Sequence, residues 1–258
     1  MSEQPAINKT PSEALLNYIS KGFPIAPRWS IVACVVLLAL FVLIGFQAKT
    51  GASWVTDFNS FVAGTIQSWR TPALTQFMSA LTLIGTEPAV VVIALVVLMW
   101  LGVRHRWDDF LYFLGNFAVF LLISQGSKFI FCTPRPTEQA IIDLPASFSY
   151  PSGHAGSMLM LALMISMLAI VYFRKHGKSD IPGFAVLAVL LVLAVLIAIS
   201  RVYLGVHWGI DLVGGWCVAL AWGLPTFTWF IGQYPRQRFE GGRDPYGVNE
   251  ILERRNQK

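Results

Sequence analysis

Long stretches of this chain carry no charge, and that feature excludes most folds otherwise open to 258 residues. Apolar runs cover Trp29–Phe46, Pro88–Val103, Phe110–Ser127, Ala155–Phe173, Pro182–Ser200 and Trp208–Ile231. A helix needs ~20 such residues to cross a bilayer, within a range of roughly 17 to 25, so the second run is short at its start. Charged residues make up 13% of the chain, about half the usual share in a soluble domain. The runs are continuous, without the two-residue alternation of an outer-membrane barrel, and no repeat of solenoid length is present. The expected fold class is therefore all-α, a six-span transmembrane helical bundle. Residues 29–231 would form the membrane domain, between an N-terminal segment (1–28) and a basic tail (232–258).

Lysine and arginine counts in the connections orient such a bundle. Fourteen of the 19 fall in the N-terminal segment, the second and fourth connections and the tail; the other five are Lys49, Arg70, Lys128, Arg135 and Arg201. Both termini are thus expected to be cytoplasmic in a multi-pass cell-membrane protein, with Trp29, Trp100, Trp107, Trp208 and Trp229 as interfacial anchors. The net charge of +5 does not point to nucleic acid, because the basic residues flank apolar runs rather than forming a stripe. The apolar first run is long enough to remain as an anchor, so no cleaved signal peptide is expected. Leu15, Leu16, Tyr18 and Ile19 suggest a short surface helix before it. In the first outer connection, Phe58, Phe61, Val62, Ile66 and Trp69 recur at helical spacing. Leu74, Phe77, Met78 and Leu81 do so again after a Thr71-Pro72 start. Two amphipathic surface helices are expected there, capping the bundle or guiding lipid. Cys34, Cys132 and Cys217 show no metal or disulfide spacing and read as packing residues.

Three polar clusters fall at span ends. Lys128 is followed after six residues by Arg135-Pro136; Pro151-Ser152-Gly153-His154 precedes the fourth run; Ser200-Arg201 is followed by His207 and Asp211. The charge-derived orientation puts all three at one membrane face, which the charge count did not require. Lys128, Arg135 and Arg201 are three cations beside an apolar slab, where they would be costly without an anion. A phosphate neutralises them and fits arginine forks. Pro151 to His154 reads as a helix start, whose free N–H groups favour an anion. There Ser152 caps the helix or donates to phosphate, and Gly153 permits close backbone approach. His207 and Asp211, four apart, face the same way if the sixth span has already begun. A carboxylate on one imidazole nitrogen fixes the tautomer and makes the other nitrogen a nucleophile. His154 is then the acid for the leaving oxygen and later the base for water. His105 and His176, without polar neighbours, read as solvated loop residues.

These residues together resemble the type-2 phosphatidic acid phosphatase superfamily, whose motifs are K-x6-RP, PSGH and SR-x5-H-x3-D. Lys128, Arg135, Pro136, Pro151, Ser152, Gly153, His154, Ser200, Arg201, His207 and Asp211 occupy every defining position. Eleven residue types at fixed internal spacings are far more specific than one short motif. The resemblance covers Lys128 to Asp211 at least, and the six-span layout extends it over most of the chain. It implies attack on phosphorus by His207 with Asp211 as partner, and protonation of the leaving group by His154. It also implies phosphate binding by Lys128, Arg135, Ser152, Gly153 and Arg201, with no metal and no cofactor. Pro136 and Pro151 read as structural.

The expected function is a membrane lipid phosphatase acting at the outer face on a phosphate or diphosphate. Undecaprenyl diphosphate, phosphatidylglycerol phosphate and phosphatidic acid are the candidate substrates, with the polyprenyl carrier or a broad specificity slightly favoured. The alternatives are a lipid phosphotransferase using the same residues, a vanadate-dependent haloperoxidase, and a non-catalytic transporter or scaffold. The haloperoxidases share the phosphate-site motif but look soluble. The intact motifs, and the lack of paired discontinuous helices, count against the transporter. The loop 137–150 is either a lid or headgroup filter, or a passive connection.

Overall fold

The computed structural model describes residues 26–234, together with residues 10 and 12. The expected surface helix around Leu15–Ile19 and the basic tail from Arg236 lie outside the described residues. Eight α-helices occupy the described chain, which contains no strand: α1 (Arg28–Thr50), α2 (Ser53–Gln67), α3 (Pro72–Thr82), α4 (Glu87–Val103), α5 (Trp107–Phe131), α6 (Gly153–Lys175), α7 (Ile181–Tyr203) and α8 (Gly209–Gly232). Five of them, α1, α5, α6, α7 and α8, are long and apolar enough to cross a membrane.

The second span, at Pro88–Val103, is built differently from expectation. A short 3-10 turn, Leu83–Gly85, joins α3 to α4, and the two helices reach span length only as a pair bent by 49°. This explains the short second run: its missing length lies across a break at Thr86-Glu87. The α3 start is as expected, with Pro72 in the first turn and the Thr71 hydroxyl accepting from the Leu74 N–H. The faces of the two short helices differ in part from the expected stripes. In α2 the buried residues are Val55, Asn59 and Ala63, while Phe61 is 73% exposed. In α3, Met78, Leu81 and Thr82 are buried and Phe77 is exposed. Within the α2 stripe Phe61 points outward, whereas Phe58 and Val62 reach the start of α8 beside Gly209.

The long helices overrun the apolar runs by up to four residues, because their polar end residues are helical too. Lys128 and Arg201 therefore lie in the last turns of α5 and α7. Two of the five cations expected on the outer side, Lys49 and Arg70, serve the frame. Lys49 donates to the Ile130 carbonyl at the end of α5. Arg70 donates to the Tyr203 carbonyl at the end of α7 and to that of Gln139. Cations suit helix C-termini, where carbonyls lack partners.

The bundle is organised around α6. Of its most apolar stretch 78% is buried, against 17% for α1, whose apolar side chains face outward as a lipid-facing surface would. Packing between α6 and α8 is tight because glycines meet. A Cβ on Gly215 would come 2.6 Å from the Ser152 carbonyl oxygen, and one on Gly156 would come 2.9 Å from that of Gly215. Without a hydrophobic drive between helices in lipid, such small-residue contacts are a principal source of association. The contact brings the start of α6 against the first turns of α8, where the Ser152 N–H donates to the Asp211 carbonyl at 2.9 Å.

Of the cysteines, Cys217 is buried and Cys34 half-buried, but Cys132 is exposed. It ends α5 in a left-handed conformation (φ 52°), which turns its side chain out of the core, so the packing assignment fails there. His105 and His176 are exposed in the connections, as expected.

Candidate active site

One cavity of about 330 Å³ collects residues from all three polar clusters: Lys128, Arg135, Gly153, His154, Arg201 and His207 line it. Their helix ends are far apart in sequence, so the convergence is a property of the fold. Ser152 lies behind it, fully buried, its hydroxyl accepting from the Ala155 N–H as the α6 N-cap. Asp211 stands behind His207.

Local structure explains the His207–Asp211 pair, though not as expected. His207 precedes α8, which begins at Gly209, so the pair is not two residues on one helical face. Asp211 instead folds back over the helix start, where its Oδ2 accepts from the Trp208 N–H at 2.8 Å. The same oxygen lies 3.0 Å from His207 Nδ1 and accepts from the Ser149 hydroxyl. A helix-capping carboxylate thus also orients the imidazole. With Nδ1–H donated to Asp211, the lone pair lies on Nε2. Arg135 Nη1 sits 3.1 Å from that atom and donates to it in this tautomer.

Electrostatics keep the ring neutral. His207 is 3% exposed, and burial foremost, then Arg135, Arg201 and Lys128, hold its pKa well below the ordinary 6.5. A neutral imidazole is the nucleophilic form.

Backbone carbonyls and hydroxyls hold the cations, not carboxylates. Lys128 Nζ donates to the carbonyls of Phe148 (2.9 Å) and Pro151 (2.8 Å). Arg135 donates to those of Ser147 and Val206, both at 2.7 Å. Arg201 Nη1 donates to the Thr82 hydroxyl at 2.8 Å. Buried Arg201 Nε and His154 Nε2 have no hydrogen-bond partner. Burying such groups unsatisfied is costly, and a tetrahedral oxyanion in the cavity would supply what they lack. Among the described residues, no three His, Cys, Asp or Glu side chains are grouped to hold a metal ion.

Several contributors were not singled out from the sequence. Thr133 ties the first cluster to the second, its carbonyl accepting from the Ser149 N–H and its hydroxyl from the Tyr150 N–H. Ser149 shares Asp211 with His207. Thr82 of α3 holds Arg201. Glu87 lines the cavity and accepts from Gln125 at 3.0 Å. Pro145, Ala146 and Ser147 form one wall, which places part of the loop 137–150 at the site.

Residues 109–234 match the model of the PAP2 superfamily. YbjG of Escherichia coli (strain K12) is 30% identical over 151 residues, covering 56% of this chain and 70% of the relative. The chain belongs to the PAP2 superfamily. A relative from Sulfolobus acidocaldarius named undecaprenyl-diphosphatase is 26% identical over 188 residues, covering 70% of this chain and 83% of its own. The fold is similar to the crystal structure of a transmembrane PAP2-type phosphatidylglycerolphosphate phosphatase from Bacillus subtilis. The TM-score is 0.64 at 25% identity, over 80% of this chain and 98% of that one. The all-α membrane bundle expected for this superfamily is therefore the architecture found.

Proposed function

We propose that this chain hydrolyses the phosphate of a membrane lipid through a phosphohistidine formed on His207. Membership in the superfamily, with relatives named as phosphatases, makes it a phosphoric ester hydrolase of the membrane. One observation carries the mechanism: a buried, neutral His207, oriented by Asp211, turns Nε2 toward Arg135 in a cavity that Lys128 and Arg201 also line.

In the first step Nε2 attacks phosphorus and the bond from phosphorus to the lipid-side oxygen breaks, with His154, protonated once the bound phosphate offsets the neighbouring cations, giving that oxygen its proton. Lys128, Arg135, Arg201 and the Ser152–Gly153 helix start hold the phosphoryl oxygens, and stabilising their charge supplies much of the rate. His154, now neutral, takes a proton from water as the water attacks phosphorus. The P–N bond breaks, inorganic phosphate leaves and His207 returns to its starting state. Asp211 steadies the positive ring as it forms.

The substrate is a lipid phosphate or diphosphate, since a cavity at the end of membrane-spanning helices admits a headgroup while its chains stay in the bilayer. Residues 29–231 form the catalytic domain. The cavity faces outward with both termini cytoplasmic, because 14 of the 19 lysines and arginines fall on the opposite side of the six-span order. Phosphate release from undecaprenyl diphosphate, phosphatidylglycerol phosphate and phosphatidic acid in detergent tests the reading, with His207→Ala as control. Release from at least one lipid, absent in the variant, supports hydrolysis. Transfer to a second acceptor with no free phosphate would indicate a phosphotransferase, and no turnover of any lipid would defeat the proposal.

A further inference from the structure

We infer that Glu87 is a specificity-determining residue, whose carboxylate limits the negative charge the cavity accepts and so favours lipid phosphate monoesters over diphosphates. This rests on the phosphatase reading above. Glu87 belongs to none of the three motif clusters. It opens α4, just past the bend, and its chain neighbour Pro88 lines the same cavity.

Three observations place its charge at the proposed phosphate site. It lines the cavity beside Lys128, Arg135, His154, Arg201 and His207. Its Oε1 would lie 3.7 Å from a Cβ on Gly153, which puts the carboxylate against the first residue of α6. Its field also favours the charged form of Arg135, although burial outweighs it and lowers that group's pKa overall. Glu87 nonetheless pairs with none of the cations within ion-pair distance; Gln125 holds it from the other side at 3.0 Å. The carboxylate is kept in an anion site yet left out of its ion pairs.

A carboxylate there opposes any anion, so its effect grows with the charge the substrate brings. A monoester brings one phosphate, which the three cations and the helix start compensate. A diphosphate brings a second charged phosphate on the leaving side, confined in the same small cavity. The repulsion at such distances, even at protein-like screening, amounts to about a tenfold effect or more. The bend between α3 and α4 sets how far Glu87 leans over the site.

The test uses farnesyl phosphate and farnesyl diphosphate, which share one chain, with the full-length protein in detergent. The wild type should show the higher kcat/KM on the monophosphate. Glu87→Gln, close to isosteric at an exposed position, should raise the diphosphate-to-monophosphate ratio about tenfold, and the gain should shrink in high salt. Glu87→Asp retains the charge and should keep a ratio near that of the wild type. A wild-type preference for diphosphate, or an equal change on both substrates in Glu87→Gln, would overturn the inference while leaving the phosphatase reading intact. Failure of the wild type on these and all other lipid phosphates would remove both.

Discussion

The two ends of α5 and α6 hold similar numbers of basic side chains and treat them oppositely. At the end away from the cavity, Arg106 meets Asp109 at 2.6 Å, Arg174 meets Asp180 at 2.7 Å, and Lys175 reaches Asp109 at 3.4 Å. At the cavity end, ~28 Å away by helical rise from Asp109 to Lys128, none of Lys128, Arg135 and Arg201 is paired with a carboxylate among the described residues. The one buried carboxylate there, Asp211, is bonded to His207, Ser149 and the Trp208 N–H instead. Paired charge holds helices together; uncompensated charge beside an apolar slab awaits a partner. The difference separates a structural latch from the candidate binding site within one bundle.

Substitutions at the two ends should therefore fail in different ways. The largest effect on turnover belongs to His207→Ala, which should reduce kcat by ~10^4-fold or more. Trapping with radiolabelled lipid phosphate should recover no phosphoenzyme; labelled protein would contradict the nucleophile. Arg201→Ala should cost ~10^2- to 10^3-fold in kcat/KM and weaken inhibition by inorganic phosphate, read from initial rates. Gly215→Val, which forces side-chain atoms against the Ser152 carbonyl, should cost ~10^2-fold in kcat in protein that still purifies as a folded species. Arg135→Gln tests the charge balance more gently. Removing one of the charges that depress the His207 pKa lets that pKa rise toward 6.5. The ring then takes up its proton at higher pH, so the acid limb of kcat/KM should move upward in pH; an unmoved limb would mean Arg135 does not set the ionisation. Arg174→Ala, at the far end, should leave kcat/KM unchanged in folded protein while lowering thermal stability by about 3 kcal/mol, the cost of breaking a largely buried pair. A large rate loss there would erase the distinction between the ends.

Much of the site was legible in the sequence because its residues occur in short groups with fixed spacing. Eleven matching positions identify the superfamily, and the lysine and arginine count placed three groups at one face before any contact was known. Other parts were legible only in outline. The His207–Asp211 spacing suggested one helical face, yet the bond comes from a carboxylate folding back over a helix start, which separation alone does not distinguish. Thr82, Glu87, Gln125, Thr133 and Ser149 are single polar residues with no periodic relation to the groups, so only the packed chain shows their part. The bend at Thr86-Glu87 appeared as an apolar run too short to cross a membrane, a signal of something unusual without its geometry. The α2 stripe was misjudged at Phe61, because aromatic residues facing lipid and aromatic residues facing a core share one helical period.

The glycine contact between α6 and α8 bears on how the protein answers its surroundings. Because the Ser152 main chain is bonded to that of Asp211, the proposed phosphate cradle and the proposed nucleophile His207 should move together when the helices tilt. Changes in acyl-chain length that tip the bundle should leave the intrinsic rate almost unaltered. Glu87 hangs from a separate bent segment and is tied to α5 rather than to that pair, so membrane thickness should register in which headgroup is chosen rather than in how fast it is cut.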